Sequence, residues 1–253
     1  MMRIDVITLF PELFEGPLKA ALLGKAIEQG VLEVEVTDLR PFGIGNYRQV
    51  DDAPFGGGPG MVMRCEPLFA AVESLRGKSS LSRVVLLSPR GRRLDQPLVR
   101  ELAAAPDLTL ICGRYEGVDE RVSSALCTDE ISIGDYVLSG GEVPALVLIE
   151  AISRMLPGVV GDWESVATDS FYAGLLGAPQ YTRPAEYEGM NVPDVLRQGH
   201  HAAIERWRRR EALRVTQMRR PDLLEDIELT SEDRKLLAEI NEESAKENRE
   251  NKL

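Results

Sequence analysis

The chain has 253 residues and a net charge of −11, and 43% of its residues are hydrophobic. This length allows one larger and one smaller domain with a buried core. No run approaches the roughly 18 apolar residues of a membrane-spanning helix, and the first residues lack the apolar region of a signal peptide. We therefore exclude membrane and secreted classes and predict a soluble, cytoplasmic protein without a membrane partner.

The cysteines and histidines argue against metal and disulfide chemistry. Cys65, Cys112 and Cys127 form no C-x-x-C pair and cannot all be joined in disulfides. His200 and His201 are adjacent in a basic segment. The sequence predicts reduced, partly buried thiols, no metal site, and no reaction that depends on a histidine base.

Strand and helix patterns alternate through the first part of the chain. Strand patterns cover residues 3–9, 31–39, 83–88, 107–112 and 130–134, and helical patterns cover residues 17–30, 66–76, 96–105, 118–122 and 142–156. Residues 40–59 are predicted to be a loop. Because several strands are apolar throughout, we expect an α/β fold with a mainly parallel sheet and helices on both faces, over residues 1–161.

The second part of the chain is predicted to be a linker followed by a small C-terminal helical domain. Residues 162–184 lack periodicity, and residues 185–253 contain helical patterns at 200–214 and 231–240. From Arg197 to Arg220, eight arginines and two glutamates give a net charge of +6, whereas from Pro221 onwards the net charge is −6. The basic helix is therefore either a surface for RNA phosphates or a solvated face paired with the acidic tail.

Three predicted strands end in polar or glycine-rich turns, at residues 87–91, 112–117 and 133–141. In open parallel sheets, ligands bind in the crevice beyond the carboxyl ends of the strands, so these turns should meet at one pocket. Gly134, Gly140 and Gly141 fit neither the dinucleotide nor the P-loop phosphate pattern. We expect a ligand that is held by backbone groups and has no pyrophosphate.

Several motifs, in order, resemble one family. They are GGGPGM at 56–61, LSPRG at 87–91, CGRYEGVDER at 112–121, ISIGDYVLSGGE at 131–142, DSF at 169–171, PQYTRP at 179–184 and HAAIERW at 201–207. Together they resemble the bacterial tRNA (guanine-N1)-methyltransferases of the SPOUT class, from residue 1 to about residue 225. The resemblance implies methyl transfer from S-adenosyl-L-methionine to N1 of the guanine 3′ of the anticodon, a homodimer with shared active sites, and a deep trefoil knot.

The resemblance also implies which residues hold the cofactor. It assigns binding to Gly113, Ile133, Gly134, Asp135, Tyr136, Val137 and Leu138, and it adds Leu87, Pro89, Tyr115, Glu116, Gly140, Gly141 and Pro144 to the same pocket. Two alternatives stay open. Gly140 and Gly141 could have no role beyond turning the chain into the next helix. Glu116 could be a solvated loop carboxylate rather than a partner of the cationic methionine portion of the cofactor.

The catalytic roles implied by the resemblance fall on Asp169 and Arg154. Asp169 would accept the N1 proton as a general base, and Arg154 would stabilise the charge that develops on guanine O6. Without the family, the alternatives are a helix cap for Asp169 and a helix C-terminal ion pair for Arg154. Thr168 departs from the family, which often has an acidic residue there, and this places a contribution from a second carboxylate in doubt.

RNA binding is expected on the basic helix, through Arg206, Arg208, Arg209 and Arg214. Two further hypotheses compete with the leading one. A noncatalytic RNA-binding protein would have lost Asp169 or Arg154, and both are present. Ribose 2′-O methylation by a related knotted fold is disfavoured by a carboxylate suited to an N1 proton.

Overall fold

The computed structural model of the chain describes residues 1–75, 77–78, 80–161 and 167–250, with side chains described up to residue 246. The chain divides into two compact units, Met1–Trp163 and Glu164–Leu253. In the described parts of both units, no helix is both long enough and apolar enough to cross a bilayer.

The first unit is built on a parallel sheet. Its strands are β1 (Met2–Thr8), β2 (Leu32–Asp38), β3 (Asp51–Asp52), β4 (Val62–Met63), β5 (Val84–Arg93), β6 (Asp107–Cys112) and β7 (Asp129–Ser132). Five of them form one sheet in the order β2-β1-β6-β5-β7, and each neighbouring pair is parallel. The predicted parallel α/β architecture is confirmed.

Helices cover both faces of this sheet. They are α1 (Glu12–Glu15), α2 (Ala21–Glu28), α3 (Cys65–Ser74), α4 (Gln96–Ala103), α5 (Glu120–Leu126) and α6 (Glu142–Ser153). Successive side chains of a strand point to opposite faces, so β5 sends Val85 and Leu87 into the core formed with α2, α4 and α6. Val84 and Leu86 of the same strand enter a second core with α3 and Val122 of α5.

Strand β5 makes an excursion in the middle of its pairing with β7. Ile131 of β7 is opposite Leu87 and again opposite Arg92, so the four residues between these two positions leave the ladder. Such extra residues in one strand form a bulge that bends it and redirects its side chains. The excursion lies at the carboxyl end of the sheet, where the predicted turns meet.

Some boundaries differ from the sequence predictions for local reasons. The helix predicted over residues 17–30 is a 3₁₀ turn, Pro17–Lys19, followed by α2, because Ala20 between them is extended with φ −100° and ψ 150°. Helix α5 starts at Glu120 rather than 118, since the Asp119 carboxylate caps it by accepting a hydrogen bond from Arg121 N. The loop predicted at 40–59 contains β3, which pairs antiparallel with β4.

The second unit is helical with one short hairpin. It contains β8 (Glu186–Tyr187), β9 (Met190–Asn191), α7 (His201–Arg219) and α8 (Ser231–Glu250). Leu213 of α7 and Leu236 and Ile240 of α8 bury a small core together with Leu175. Within the segment predicted as a linker, Leu176 N also donates to Thr216 Oγ1 of α7 at 2.9 Å. The domain boundaries at residues 162 and 185 stay predictions.

Candidate active site

A cavity of about 460 Å³ opens at the carboxyl ends of β5, β6 and β7. Three segments line it: residues 86–90 within β5, residues 113–118 after β6, and residues 131–134 and 136–141 at the end of β7 and in the turn that follows. This is the position that the rule for open parallel sheets predicts. Its size lies within the range of cofactor sites in proteins, roughly 300–1,000 Å³.

Most of the residues assigned to the cofactor lie together in the wall of this cavity. They are Leu87, Pro89, Gly113, Tyr115, Glu116, Ile133, Gly134, Tyr136, Val137, Leu138, Gly140, Gly141 and Pro144. Asp135 was assigned with them, but its side chain is exposed and lies outside the lining. The wall is mixed: apolar side chains and glycine backbone form much of it, and Glu116 and Arg90 bring opposite charges.

The glycine pair has a packing reason beyond turning the chain. A β-carbon on Gly141 would stand 2.7 Å from Cys112 Cα, and one on Gly140 would stand 2.2 Å from Arg114 Nε. Gly141 N donates to Gly113 O at 2.9 Å, and Gly140 is bridged to Arg114. The two glycines therefore let the third turn lie directly against the second, which brings both into one wall.

Burial changes the acidity of two groups near the cavity. Burial raises the pKa of the Tyr115 phenol, which further favours the neutral hydroxyl that a tyrosine already has at physiological pH. Burial also raises the pKa of the Cys112 thiol well above its ordinary value. Cys112 is thus an uncharged packing residue beneath the turn, as the sequence suggested for the cysteines.

Arg114 and Glu142 were not assigned by sequence reasoning. Arg114 Nε lies 2.9 Å from Glu142 Oε2, and the Glu142 side chain is almost completely buried. Arg114 also contributes to the cavity wall. The signal in the sequence was a charged residue at the start of the mainly apolar helix α6, where a buried carboxylate needs a cationic partner.

The two predicted catalytic residues belong to different units. Arg154 is the C-cap residue of α6 in the first unit, and its side chain is partly buried. Asp169 lies in an exposed turn of the second unit, where its carbonyl accepts a hydrogen bond from Tyr172 N at 3.3 Å. Phe171 in the same turn has φ +70°, a left-handed conformation that is uncommon for an aromatic residue.

The arginines assigned to RNA are not equivalent. Arg206 contacts Glu232 and Glu239 of α8, with a shortest distance of 2.8 Å to Glu239. Arg209 binds Asp233 at 2.7 Å, and Arg214 Nε donates to Glu211 at 2.7 Å. Arg208 is exposed, and within the described residues it makes no ion pair. The alternative that the basic helix is paired with the acidic tail thus holds for Arg206 and Arg209.

No group of three histidine, cysteine, aspartate or glutamate side chains is arranged to hold a metal ion within residues 1–75, 77–78, 80–161 and 167–246. Three of the charged side chains around the cavity are engaged with opposite charges, Arg90 with Glu120 at 2.9 Å and Arg114 with Glu142 at 2.9 Å.

Comparison with known proteins decides the family. Residues 2–226 match the family described as tRNA (Guanine-1)-methyltransferase TrmD. The chain belongs to this family. A tRNA (guanine-N(1)-)-methyltransferase of Dictyoglomus turgidum is 53% identical over 247 residues, which cover 98% of this chain and 100% of that protein.

Two further relatives of the family carry the same name. The protein of Moorella thermoacetica is 54% identical over 241 residues, covering 94% of this chain and 96% of the relative. That of Brevibacillus brevis is 54% identical over 242 residues, covering 96% and 99%. The resemblance drawn from the sequence motifs is confirmed over nearly the whole chain.

Proposed function

We propose that this chain is a tRNA (guanine-N1)-methyltransferase that transfers the methyl group of S-adenosyl-L-methionine to N1 of guanine 37, the nucleotide 3′ of the anticodon. The single observation that carries the proposal is the meeting of three turns in one glycine-lined cavity in a chain of this family. A glycine-lined wall presents backbone NH and carbonyl groups that can read the edge of a purine.

The residues of the cavity fit S-adenosyl-L-methionine. When bound, this cofactor supplies an electrophilic methyl group on a sulfonium centre. The backbone of Gly140 and Gly141 approaches without side chains, Tyr115 and Tyr136 offer aromatic faces, and the Glu116 carboxylate is suited to the positive charge of the methionine portion. Leu87, Leu138 and Pro144 provide apolar surface for the adenosine.

Asp169 and Arg154 carry the chemistry on guanine. The neutral guanine N1–H is a poor nucleophile, so a carboxylate must hold this atom and accept its proton as the methyl group arrives. Asp169 takes this role from an exposed turn that RNA can reach. The Arg154 guanidinium holds the O6 atom of the base and stabilises its developing negative charge.

RNA binds through phosphate contacts on α7, and Arg208 is its main cationic contact. Arg208 is exposed and without an ion pair among the described residues, whereas Arg206, Arg209 and Arg214 are paired with carboxylates. Residues 185–253 form the tRNA-binding domain, with residues 162–184 as its connection to the methyl-donor domain. The reaction belongs to the cytoplasm.

The working enzyme is a homodimer with a trefoil knot in the first unit. The knot is what the resemblance to the family implies, and residues 140–141 pack against the turn at 112–114, where Gly141 N donates to Gly113 O at 2.9 Å. The dimer is supported by an apolar surface on the outside of α6, where Val143 and Val147 are exposed, and by the exposed Val137. Each active site combines the cofactor cavity of one subunit with Asp169 of the other.

The decisive experiment maps the methylated nucleotide. The purified chain is incubated with S-adenosyl-L-methionine and an unmodified tRNA transcript that has guanine at position 37, and the nucleosides and fragments are identified by mass spectrometry. We expect 1-methylguanosine at position 37 and no methylation of a matched transcript with adenine there. A 2′-O-methylated ribose, a methyl group elsewhere, or binding without methylation would contradict the proposal.

A further inference from the structure

A closed circuit of contacts lies directly behind the cofactor cavity. Thr8 Oγ1, at the end of β1, donates to Glu142 Oε1 at 2.8 Å and accepts from Phe10 N at 2.9 Å. Arg114 lies with its guanidinium carbon 4.3 Å from the centre of the Phe10 ring and its Nε 2.9 Å from Glu142 Oε2. The circuit joins the end of β1, the turn after β6 and the start of α6.

The circuit has a direct connection to the cavity wall. Arg114 Nη1 donates to the carbonyl of Ser139 at 3.2 Å, and its Nε occupies the space that a side chain on Gly140 would need. Ser139, Gly140 and Gly141 all line the cavity. The orientation of the Arg114 guanidinium therefore helps to fix this wall, together with the hydrogen bond from Gly141 N to Gly113 O.

The burial of Glu142 restricts the Arg114 side chain to one orientation. Only 1% of the Glu142 side chain is exposed, and a buried carboxylate is tolerated when its charge and its lone pairs are satisfied. Thr8 satisfies one carboxylate oxygen and Arg114 balances the charge beside the other. Since Thr8 is itself completely buried, the carboxylate has one arrangement that satisfies both contacts, and Arg114 must follow it.

Neither Thr8 nor Glu142 lines the cavity, although Arg114 does. Thr8 can therefore affect the cofactor only through its neighbours, and the contacts lead from it through Glu142 and Arg114 to the wall at 139–141, to which Glu142 is also bonded in the chain. We propose that Glu142 and Thr8 are positioning residues that act through Arg114 to hold this wall against the methyl donor. The inference rests on the proposed function, because it takes the cavity to be the site of S-adenosyl-L-methionine.

The test compares Glu142→Gln and Thr8→Val with the native chain. Both substitutions keep the approximate volume of the side chain. Glu142→Gln removes the charge that faces Arg114, and Thr8→Val removes both hydrogen bonds of the Thr8 hydroxyl. We expect the KM for S-adenosyl-L-methionine to rise on the order of tenfold, the effect of losing one close ion pair or one charge-assisted hydrogen bond, while kcat at saturating donor changes less than about threefold. Calorimetric titration with S-adenosyl-L-methionine should show the same loss of affinity.

A matched control separates positioning from general stability. Arg83 and Asp129 form a two-bonded ion pair, 2.6 and 2.8 Å, at the opposite end of β5 and β7. Asp129→Asn makes the same carboxylate-to-amide change without touching the cavity wall. We expect it to lower the Tm, as Glu142→Gln does, and to leave the donor KM at the native value.

The outcomes distinguish this inference from the proposed function. If the native chain binds the donor and Glu142→Gln and Thr8→Val bind it with native affinity, the positioning role is wrong and the proposed function stands. A donor KM raised equally by Asp129→Asn, or a fall in kcat at unchanged KM, also overturns the positioning role. If the native chain itself binds no donor, the proposed function fails. Should Glu142→Gln not fold, Thr8→Val, which retains the ion pair, decides the question by the same criteria.

Discussion

Gly141 lies against Cys112 so closely that a β-carbon on the glycine would stand 2.7 Å from the Cys112 α-carbon. The contact is between two stretches of backbone, and Cys112 is buried at the end of the central strand β6. Cys112 cannot move without disturbing the sheet, so a larger residue at position 141 would have to be relieved on the side of the turn. The glycine is therefore needed for the two turns of the cavity wall to meet.

The first prediction concerns this contact. Gly141→Ala should weaken binding of S-adenosyl-L-methionine by about 5- to 100-fold, since overpacking of about 1–3 kcal/mol has to be relieved by opening the cavity wall. The measurement is the donor Kd by calorimetry, together with the Tm. Gly16→Ala is the matched control, because nothing lies within 4 Å of a β-carbon at that position. Equal donor affinities in both variants would contradict the prediction.

The second prediction concerns the proton acceptor. Asp169→Asn should lower kcat by about 10²- to 10⁴-fold with little change in the KM for either substrate, because the amide cannot accept the N1 proton. Single-turnover methylation with labelled donor measures the chemical step. Asp194→Asn, at an exposed carboxylate in the same unit, should retain full activity. Full activity in Asp169→Asn would remove Asp169 from the mechanism.

The third prediction distinguishes arginines on α7 by their partners. Arg208→Ala should weaken tRNA binding more than Arg206→Ala, because Arg206 already contacts Glu232 and Glu239. A guanidinium that binds a phosphate in place of counterions contributes about one unit to the slope of log Kd against log salt. We expect Arg208→Ala to reduce this slope by about one and Arg206→Ala to reduce it less. Identical slopes in filter-binding titrations would refute the distinction.

The fourth prediction concerns stability at acid pH. Asp233 is buried, and the hydrogen bonds from Arg209 and Thr230 hold the pKa of its carboxyl well below the ordinary value. Thr230 Oγ1 accepts from Asp233 N in return, so the pair forms a capping box at the start of α8. Because the folded-state pKa is depressed, this stabilisation is present above the unfolded pKa of about 3.9 and is lost as the pH falls below it.

Asp233→Asn should accordingly destabilise the chain by about 2–4 kcal/mol at pH 7, since it leaves Arg209 without its charge partner. The difference from the native chain should shrink as the pH is lowered from about 5 to about 2. Urea unfolding followed by circular dichroism at several pH values measures it. A difference that stays constant with pH would show that charge is not the cause.

Much of the sheet was predictable because its strands are buried on both faces. Residues 107–112 are mostly apolar and all of them are buried. The strand predicted there is found with the same bounds. The meeting of the three turns followed from the same logic, since parallel strands end at one edge. Thirteen of the fourteen residues assigned to the cofactor line the cavity, and Asp135 is the exception.

The remaining features depend on contacts between distant parts of the chain. The circuit through Thr8 and Glu142 joins residues 134 positions apart, and no local pattern indicates such a pair. The partners of Arg206 and Arg209 lie on a separate helix, so the charge balance of a sequence window could not tell a paired guanidinium from an available one. The extended conformation of Ala20, which divides the helix predicted at residues 17–30, likewise has no strong local signal.

Because of the excursion of β5, the shape of the cavity can differ while the pairing of the strands in the sheet stays the same. Since Ile131 is opposite both Leu87 and Arg92, the strand resumes its pairing with β7 as if the four intervening residues were absent. The length of this segment can change without shifting the register of the strands on either side. Residues inserted or deleted in this segment would therefore change the rim of the pocket, while the strands on either side keep their pairing.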